Sequence, residues 1–139
     1  MWIRSHQVTT KKIKKEQIWK LMTDVNNWSQ WDKSIEFAKL EGSFERGKFF
    51  TLRPKGGPNV KIELLEVIEN QRFTDLTRFP FAKMFGDHQF EETSEGLKIT
   101  VTMSVSGLLA FLWIKLVASK IVAELPADIQ NQIDTASKL

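Results

Sequence analysis

Two titratable side chains, Asp75 and His88, lie on neighbouring expected strands, and the alternation of each strand predicts that both face the interior. A turn centred near Phe81 would bring Asp75, on the strand 72–79, roughly opposite His88, on the strand 85–93. A carboxylate beside an imidazole in a dry cavity can perform general acid–base chemistry, because each group stabilises the charged form of the other. The pair is therefore a candidate catalytic or ligand-binding site.

A structural role for the same residues stays open at this stage. A lone inward histidine often satisfies a backbone group, and a register shift of one residue would turn Asp75 out to water. Arg72 and Arg78 are further candidates to assist proton transfer. A catalytic pair predicts that His88→Ala or Asp75→Asn abolishes function while the fold survives.

Composition excludes several classes of function. The chain of 139 residues is expected to form a single domain, residues 1–139. With no cysteine and only two histidines, disulfides are excluded and no metal site is expected. No phosphate-binding loop, dinucleotide fingerprint, metalloprotease motif or nucleophile elbow is present, and we expect no cofactor.

Charge and hydropathy bear on location and partners. The net charge of +3 is modest and is not organised with stacking aromatic residues, so no nucleic-acid partner is expected. The cluster from Lys11 to Lys15 fits a solvated helix start or a contact with phosphate or an anionic membrane. The first residues lack the apolar core of a signal peptide, and the run Leu108 to Ile114 is too short for a transmembrane segment. We therefore expect a cytoplasmic protein.

The elements that must position the pair follow from periodicity. A strand from Trp2 to about Lys12 precedes a helix over Lys14–Thr23 and a second short helix ending near Trp31. Six further strands are predicted over 34–41, 48–53, 60–68, 72–79, 85–93 and 97–105. A slip at Leu64-Leu65 indicates a bulge.

One long amphipathic helix is predicted from Gly107 to the end of the chain. Apolar residues recur along it at spacings of three and four, from Phe111 to Ile133. A strongly bent antiparallel sheet cannot bury its own concave face, whereas such a helix laid across it can. The expected class is α+β: a curved seven-stranded antiparallel sheet wrapped on a long C-terminal helix, with two short helices after the first strand.

This order and several local motifs resemble the helix-grip family that includes START domains, Bet v 1-like proteins and the polyketide cyclase/dehydrase group. The motifs are Ile18-Trp19, Asp24-Val25-x-x-Trp28-x-x-Trp31-Asp32, Gly42…Gly47, Arg53-Pro54-x-Gly56-Gly57-Pro58, Glu66-Val67-x-x-x-x-Arg72-Phe73, Gly86-Asp87-His88-x-Phe90 and Ser106-Gly107-Leu108-Leu109-Ala110. The resemblance covers essentially the whole chain. It implies a hydrophobic cavity between the sheet and the C-terminal helix, and relatives often carry an aromatic residue where Asp75 stands.

The residues expected to line that cavity share inward positions on strands or on the helix stripe. They are Phe37, Phe50, Leu52, Ile62, Leu64, Phe73, Asp75, His88, Phe90, Ile99, Val101, Met103, Phe111, Ile114, Ala118 and Val122. Core packing alone would also explain the phenylalanines among them. The absence of tyrosine favours a weakly polar ligand or none, because few donors would orient a polar one.

The start of the C-terminal helix is apolar on all sides. Leu112, Trp113 and Leu116 lie off the main stripe, and Lys115 and Lys120 lie beside them. Packing against neighbouring loops is one interpretation; a transient membrane-surface or homodimer contact is the other.

Two functions remain. The first is a carrier or sensor that binds a small hydrophobic molecule such as a lipid, a quinone or a polyketide-like compound. The second is a polyketide cyclase or dehydratase that uses the internal Asp75–His88 pair. Retention of a ligand without turnover would favour the first, and a pH profile of activity would favour the second.

Overall fold

The computed structural model describes every residue from Met1 to Leu139. Seven strands form one antiparallel sheet: β1 (Trp2–Thr10), β2 (Ile35–Leu40), β3 (Phe49–Pro54), β4 (Val60–Ile68), β5 (Arg72–Phe79), β6 (Ala82–Thr93) and β7 (Gly96–Ser106). Their spatial order is β1-β7-β6-β5-β4-β3-β2. Consecutive strands from β2 to β7 are therefore neighbours, and β1 pairs with the last strand.

The helices flank this sheet in sequence. α1 (Lys15–Thr23), a 3₁₀ turn (Val25–Asn27) and α2 (Trp28–Trp31) connect β1 to β2. The C-terminal helix, residues 110–136, consists of α3 (Ala110–Trp113), a π-helical segment (Ile114–Ala118) and α4 (Ser119–Ala136). The predicted α+β architecture is confirmed.

Strict alternation along β7 defines the inner face of the sheet. Leu97, Ile99, Val101, Met103 and Val105 are all buried, and each residue between them is partly exposed. Antiparallel pairing places residues directly opposite on the same face. The register of β7 with β6, and of β6 with β5, therefore fixes the inner face of the central strands.

The C-terminal helix covers the inner face with the stripe that periodicity predicts. Ala118, Leu125, Ile129 and Ile133 are buried in the same apolar cluster as the inner residues of β7. Each fully buried isoleucine side chain contributes about 1.5–3 kcal/mol relative to an exposed one. The helix is therefore held mainly by apolar burial.

The two tryptophans of α2, Trp28 and Trp31, pack on the core in different ways. Trp28 is buried, packs edge-on against Phe50 with ring centroids 5.3 Å apart, and donates from Nε1 to the carbonyl oxygen of Met22 at 3.2 Å. Trp31 is half-buried, and its Nε1 is buried without a hydrogen-bond partner. The indole N–H of Trp28 thus has a hydrogen-bond acceptor, whereas that of Trp31 has none.

Two irregularities change expected orientations. The register of β2 shifts between Ile35 and Phe37, so Phe37 turns outward and is 36% exposed, with the Arg53 guanidinium 6.0 Å from its ring centroid. The prediction that Phe37 is internal is wrong because of this bulge. The bulge predicted in β4 is confirmed between Leu64 and Glu66.

The second irregularity is the π-helical segment Ile114–Ala118. A π turn holds more residues than an α turn. Apolar residues spaced at 3.6 per turn therefore no longer face the same side of the helix across this segment. Phe111, expected inside, is 70% exposed, and the prediction that it lines the interior is wrong. Ile114 and Val122 pack against the core as expected.

Candidate ligand site on the inner face of the sheet

The structure brings Asp75 and His88 together on the inner face. β5 and β6 are joined by the two-residue turn Pro80-Phe81, since Phe79 pairs with Ala82. This register places Asp75 opposite Gly86 and Phe73 opposite His88, so the carboxylate reaches the imidazole diagonally. His88 Nε2 and Asp75 Oδ2 are 3.4 Å apart.

Gly86 provides the space for that diagonal contact. A Cβ atom built on Gly86 would lie 2.8 Å from Asp75 Oδ1 and 3.1 Å from Oδ2. The carboxylate therefore occupies the volume of the missing side chain. A glycine inside an alternating strand is a signal of such a close approach, although the sequence alone did not assign Gly86 a place in the site.

The imidazole of His88 is held by an aromatic ring. Phe73, directly opposite on β5, stacks on His88 with centroids 4.3 Å apart and an interplanar angle of 11°. Phe73 in turn packs edge-on against Trp19 of α1, with centroids 6.1 Å apart. The orientation of the imidazole ring is thus set by buried aromatic side chains.

The pair keeps a small accessible surface. The side chains of His88 and Asp75 are 17% and 18% exposed although both lie on the inner face. Apolar residues surround them, including Leu64 and Met103 in the cross-strand row of Asp75 and Val101 in the row of His88. Thr77, two residues along β5 from Asp75, is buried on the same face and adds a hydroxyl. The arrangement offers a few polar groups at the edge of a largely apolar interior.

Most of the residues expected to line a cavity come together in this interior. The buried or partly buried members of the core are Phe50, Leu52, Ile62, Leu64, Phe73, Phe90, Ile99, Val101, Met103, Ile114, Ala118 and Val122. Phe37 and Phe111 lie outside it, for the reasons given above.

The two arginines considered for proton transfer lie on the opposite, convex face. Arg72 Nε is 2.8 Å from Asp87 Oδ1, and a nitrogen of Arg78 is 2.7 Å from Glu63 Oε1. Burial raises the pKa of Asp87, but hydrogen bonds from Gln89 and Arg72 outweigh it and hold that pKa below its usual value. Neither arginine contacts the Asp75–His88 pair, so that expectation is wrong.

Trp113 is not a free surface residue. Its ring stacks on Phe79 with centroids 4.5 Å apart, and its Nε1 donates to the carbonyl oxygen of Pro80 at 2.9 Å. The interpretation in which the helix start packs on a neighbouring loop therefore holds for Trp113. Leu112 and Leu116 are exposed.

Two surface depressions lie away from the pair. One of about 280 Å³ is lined by the end of β1 and the β6–β7 turn, and one of about 470 Å³ lies beside the β5–β6 turn. No group of three or more His, Asp or Glu side chains is placed to hold a metal ion. None of the helices combines the length and apolar character needed to cross a membrane.

Residues 3–132 match the family described as polyketide cyclase / dehydrase and lipid transport. The chain belongs to this family. No curated protein matches it by sequence. Among solved structures, the hypothetical protein jhp0584 of Helicobacter pylori is similar with a TM-score of 0.77 and 14% identity, over 97% of this chain and 88% of that one.

Two further structures carry functional descriptions of their own. A START superfamily protein of Mycobacterium smegmatis has a TM-score of 0.72 and 14% identity, over 96% of this chain and 97% of that one. The di-domain ARO/CYC StfQ from the steffimycin biosynthetic pathway has a TM-score of 0.73 and 13% identity, over 98% of this chain and 50% of that one. At such identities these likenesses establish the helix-grip fold of the polyketide cyclase/lipid transport family and nothing finer.

Proposed function

We propose that this member of the polyketide cyclase/lipid transport family binds a small hydrophobic molecule between the sheet and the C-terminal helix, as a carrier or sensor. The molecule is a lipid, a quinone or a polyketide-like compound with one polar group. The observation that carries the proposal is the Asp75–His88 pair, which keeps 17–18% of its side-chain surface accessible while facing an apolar interior. A cytoplasmic location stays part of this proposal.

The chemistry of the pair supports one polar contact per ligand. A carboxylate accepts hydrogen bonds and an imidazole either accepts or donates, so together they match a hydroxyl or a ketone at one end of an apolar molecule. The remaining contacts would be apolar, as in most small-molecule sites. The ligand head therefore lies against β5 and β6, and its body lies toward β7 and the helix.

A thermal-shift assay with three probes, oleate, ubiquinone-1 and a hydroxynaphthoate, tests this directly. A ligand at 100 times its Kd stabilises the folded state by about 2.7 kcal/mol, which for a domain of this size raises Tm by roughly 10 °C. We expect such a rise with at least one probe. His88→Ala and Asp75→Asn should reduce the affinity about tenfold or more, since a hydrogen bond to a charged group contributes about 1.5–3 kcal/mol.

Asp87→Asn is the matched control, because Asp87 lies next to His88 in sequence but on the convex face. This variant should bind the probe as the parent does, although its stability falls with loss of the Arg72 contact. Equal weakening of binding by all three substitutions would refute a site on the inner face. Loss of folding by His88→Ala and Asp75→Asn would leave the pair a structural role only.

A second candidate function is catalysis of a polyketide cyclisation or dehydration. The 3.4 Å separation of His88 Nε2 and Asp75 Oδ2 favours it, since a carboxylate can orient the ring that moves a proton. His88 would take a proton from a carbon next to a ketone, and Asp75 would stabilise the imidazolium that forms. Turnover of an aromatic polyketide mimic with a pH profile lost in His88→Ala would establish this function.

A further inference from the structure

The end of the molecule formed by the β5–β6 turn and the start of the C-terminal helix carries large apolar side chains in water. We name this surface the end patch; its members are Phe81 (71% exposed), Leu108 (81%), Phe111 (70%), Leu112 (37%) and Leu116 (58%). Single exposed apolar residues are ordinary, whereas five gathered on two adjoining segments indicate an interaction surface.

Hydrogen bonds and stacking join the two segments into one surface. The amide of Leu109 donates to the carbonyl oxygen of Phe81 at 3.0 Å, and Trp113 donates to Pro80 as described. A Cβ atom on Gly107 would lie 2.6 Å from the Phe81 carbonyl oxygen, so the backbones are in close contact. The π-helical segment follows directly and breaks the helical phase that would have placed Phe111 inside. The end patch is thus built into the fold.

The backbone at Phe81 is strained, and nothing in the packing of its side chain offsets that strain. Phe79, Pro80, Phe81 and Ala82 form the turn, with Pro80 second and a φ of 58° at Phe81 third. Proline second and a positive φ third is the pattern of a type II turn, in which glycine or asparagine is favoured third. A bulky side chain in that conformation is an outlier, and such outliers concentrate at functional positions.

Cations surround the end patch, and acids are missing from its segments. Residues 76–86 and 107–123 contain Arg78, Lys83, Lys115 and Lys120 and no aspartate or glutamate. Arg78 and Lys83 line the groove of about 470 Å³ beside Phe81. Arg78 is paired with Glu63 of β4, whereas Lys83 and Lys115 are exposed and form no ion pair. The end patch is therefore complementary to a surface that has an anionic outer layer over an apolar interior.

We propose that the end patch docks on an anionic phospholipid surface, with Phe81, Phe111 and the leucines entering the acyl boundary and Lys83 and Lys115 meeting phosphates. A second copy of the chain fits less well, since isologous pairing would bring two cationic rims together. This inference goes beyond the proposed ligand function and stands whether or not the interior binds a ligand.

The test is co-sedimentation with vesicles of phosphatidylcholine plus phosphatidylglycerol, and of phosphatidylcholine alone. We expect binding to the anionic vesicles that weakens as salt is raised. Phe81→Asn should reduce the vesicle affinity about tenfold or more, because burying one phenylalanine contributes about 1.5–3 kcal/mol. The same variant should keep or raise Tm, because asparagine tolerates the positive φ.

Phe49→Asn is the matched control, since Phe49 is 41% exposed on β3 with Lys61 above its ring and lies outside the end patch. It should leave vesicle binding unchanged. The proposal is overturned if the parent protein binds neither vesicle, if Phe49→Asn weakens binding as much as Phe81→Asn, or if light scattering finds a dimer that Phe81→Asn dissociates.

Discussion

Gly86→Ala should move the Asp75 carboxylate away from His88 without removing the carboxylate from the protein. The added Cβ atom would lie 2.8 Å from Asp75 Oδ1, closer than a Cβ atom approaches an oxygen in folded proteins, and 3.2 Å from Cγ, which is a tight contact. The obstacle is the tip of a side chain, so the carboxylate can rotate away from His88 while the backbone stays in place. Gly86 has no positive φ, so alanine is compatible with its backbone.

The magnitude follows from two opposing effects on unfolding. Replacing glycine by alanine at a compatible position stabilises by about 0.4–1 kcal/mol through the unfolded chain. Losing the Asp75–His88 contact, which at 3.4 Å is longer than a good hydrogen bond, costs less than about 1.5 kcal/mol. The free energy of unfolding should therefore change by less than about 1 kcal/mol. Affinity for the best probe should fall about tenfold or more, because the polar contact of the ligand is displaced.

A double-mutant cycle makes this prediction sharp. In an Asp75→Ala background the obstacle is absent, so Gly86→Ala should stabilise by the full 0.4–1 kcal/mol, an order-of-magnitude value for such replacements, and should leave probe binding unchanged. Urea denaturation measures the free energy of unfolding, and a fluorescence titration measures the affinity for the probe. The reasoning is refuted if Gly86→Ala retains parental affinity in the native background, or if it weakens binding equally in both backgrounds.

The other predictions concern stability. Trp28→Phe should destabilise by about 1–3 kcal/mol because it leaves the Met22 carbonyl oxygen without its donor. Trp31→Phe should cost less than about 1 kcal/mol because the Trp31 Nε1 has no partner to lose. Equal losses for the two variants in urea denaturation would contradict this prediction. Burial, with Asp32 and Glu124 nearby, raises the pKa of Asp128 to about 6. The folded state therefore binds more protons than the unfolded state between about pH 4 and 6, so stability should fall as pH rises through that window. After discounting for solvent screening the loss is roughly 1 kcal/mol; Asp128→Asn should remove this slope, and an unchanged slope would refute the assignment.

The sequence predicts most of this fold because its patterns are local. Alternation along β7 identifies the inner face, and short turns carry that face to β6 and β5. The placement of Asp75 and His88 on one face follows from that alternation. Their diagonal offset does not, because it depends on whether the turn before Ala82 has two residues or three.

Other features depend on contacts that no local pattern records. Phe37 turns outward because the bulge in β2 changes its phase, and an edge strand carries little sequence signal for such a bulge. Phe111 turns outward near a π-helical segment that the apolar spacing of the helix conceals. Gly86 gains its role only when its partner strand is known, since the group it accommodates is eleven residues away in sequence, at Asp75.

The central claim, a ligand site on the inner face at Asp75 and His88, is tested most directly by an NMR titration of ¹⁵N-labelled protein with oleate, ubiquinone-1 and the hydroxynaphthoate. The account predicts saturable shifts with at least one probe, concentrated at residues 73–77, 86–90 and 99–103. The absence of saturable shifts with all three probes, or shifts confined to residues 78–83 and 107–116 at the end patch, would contradict it.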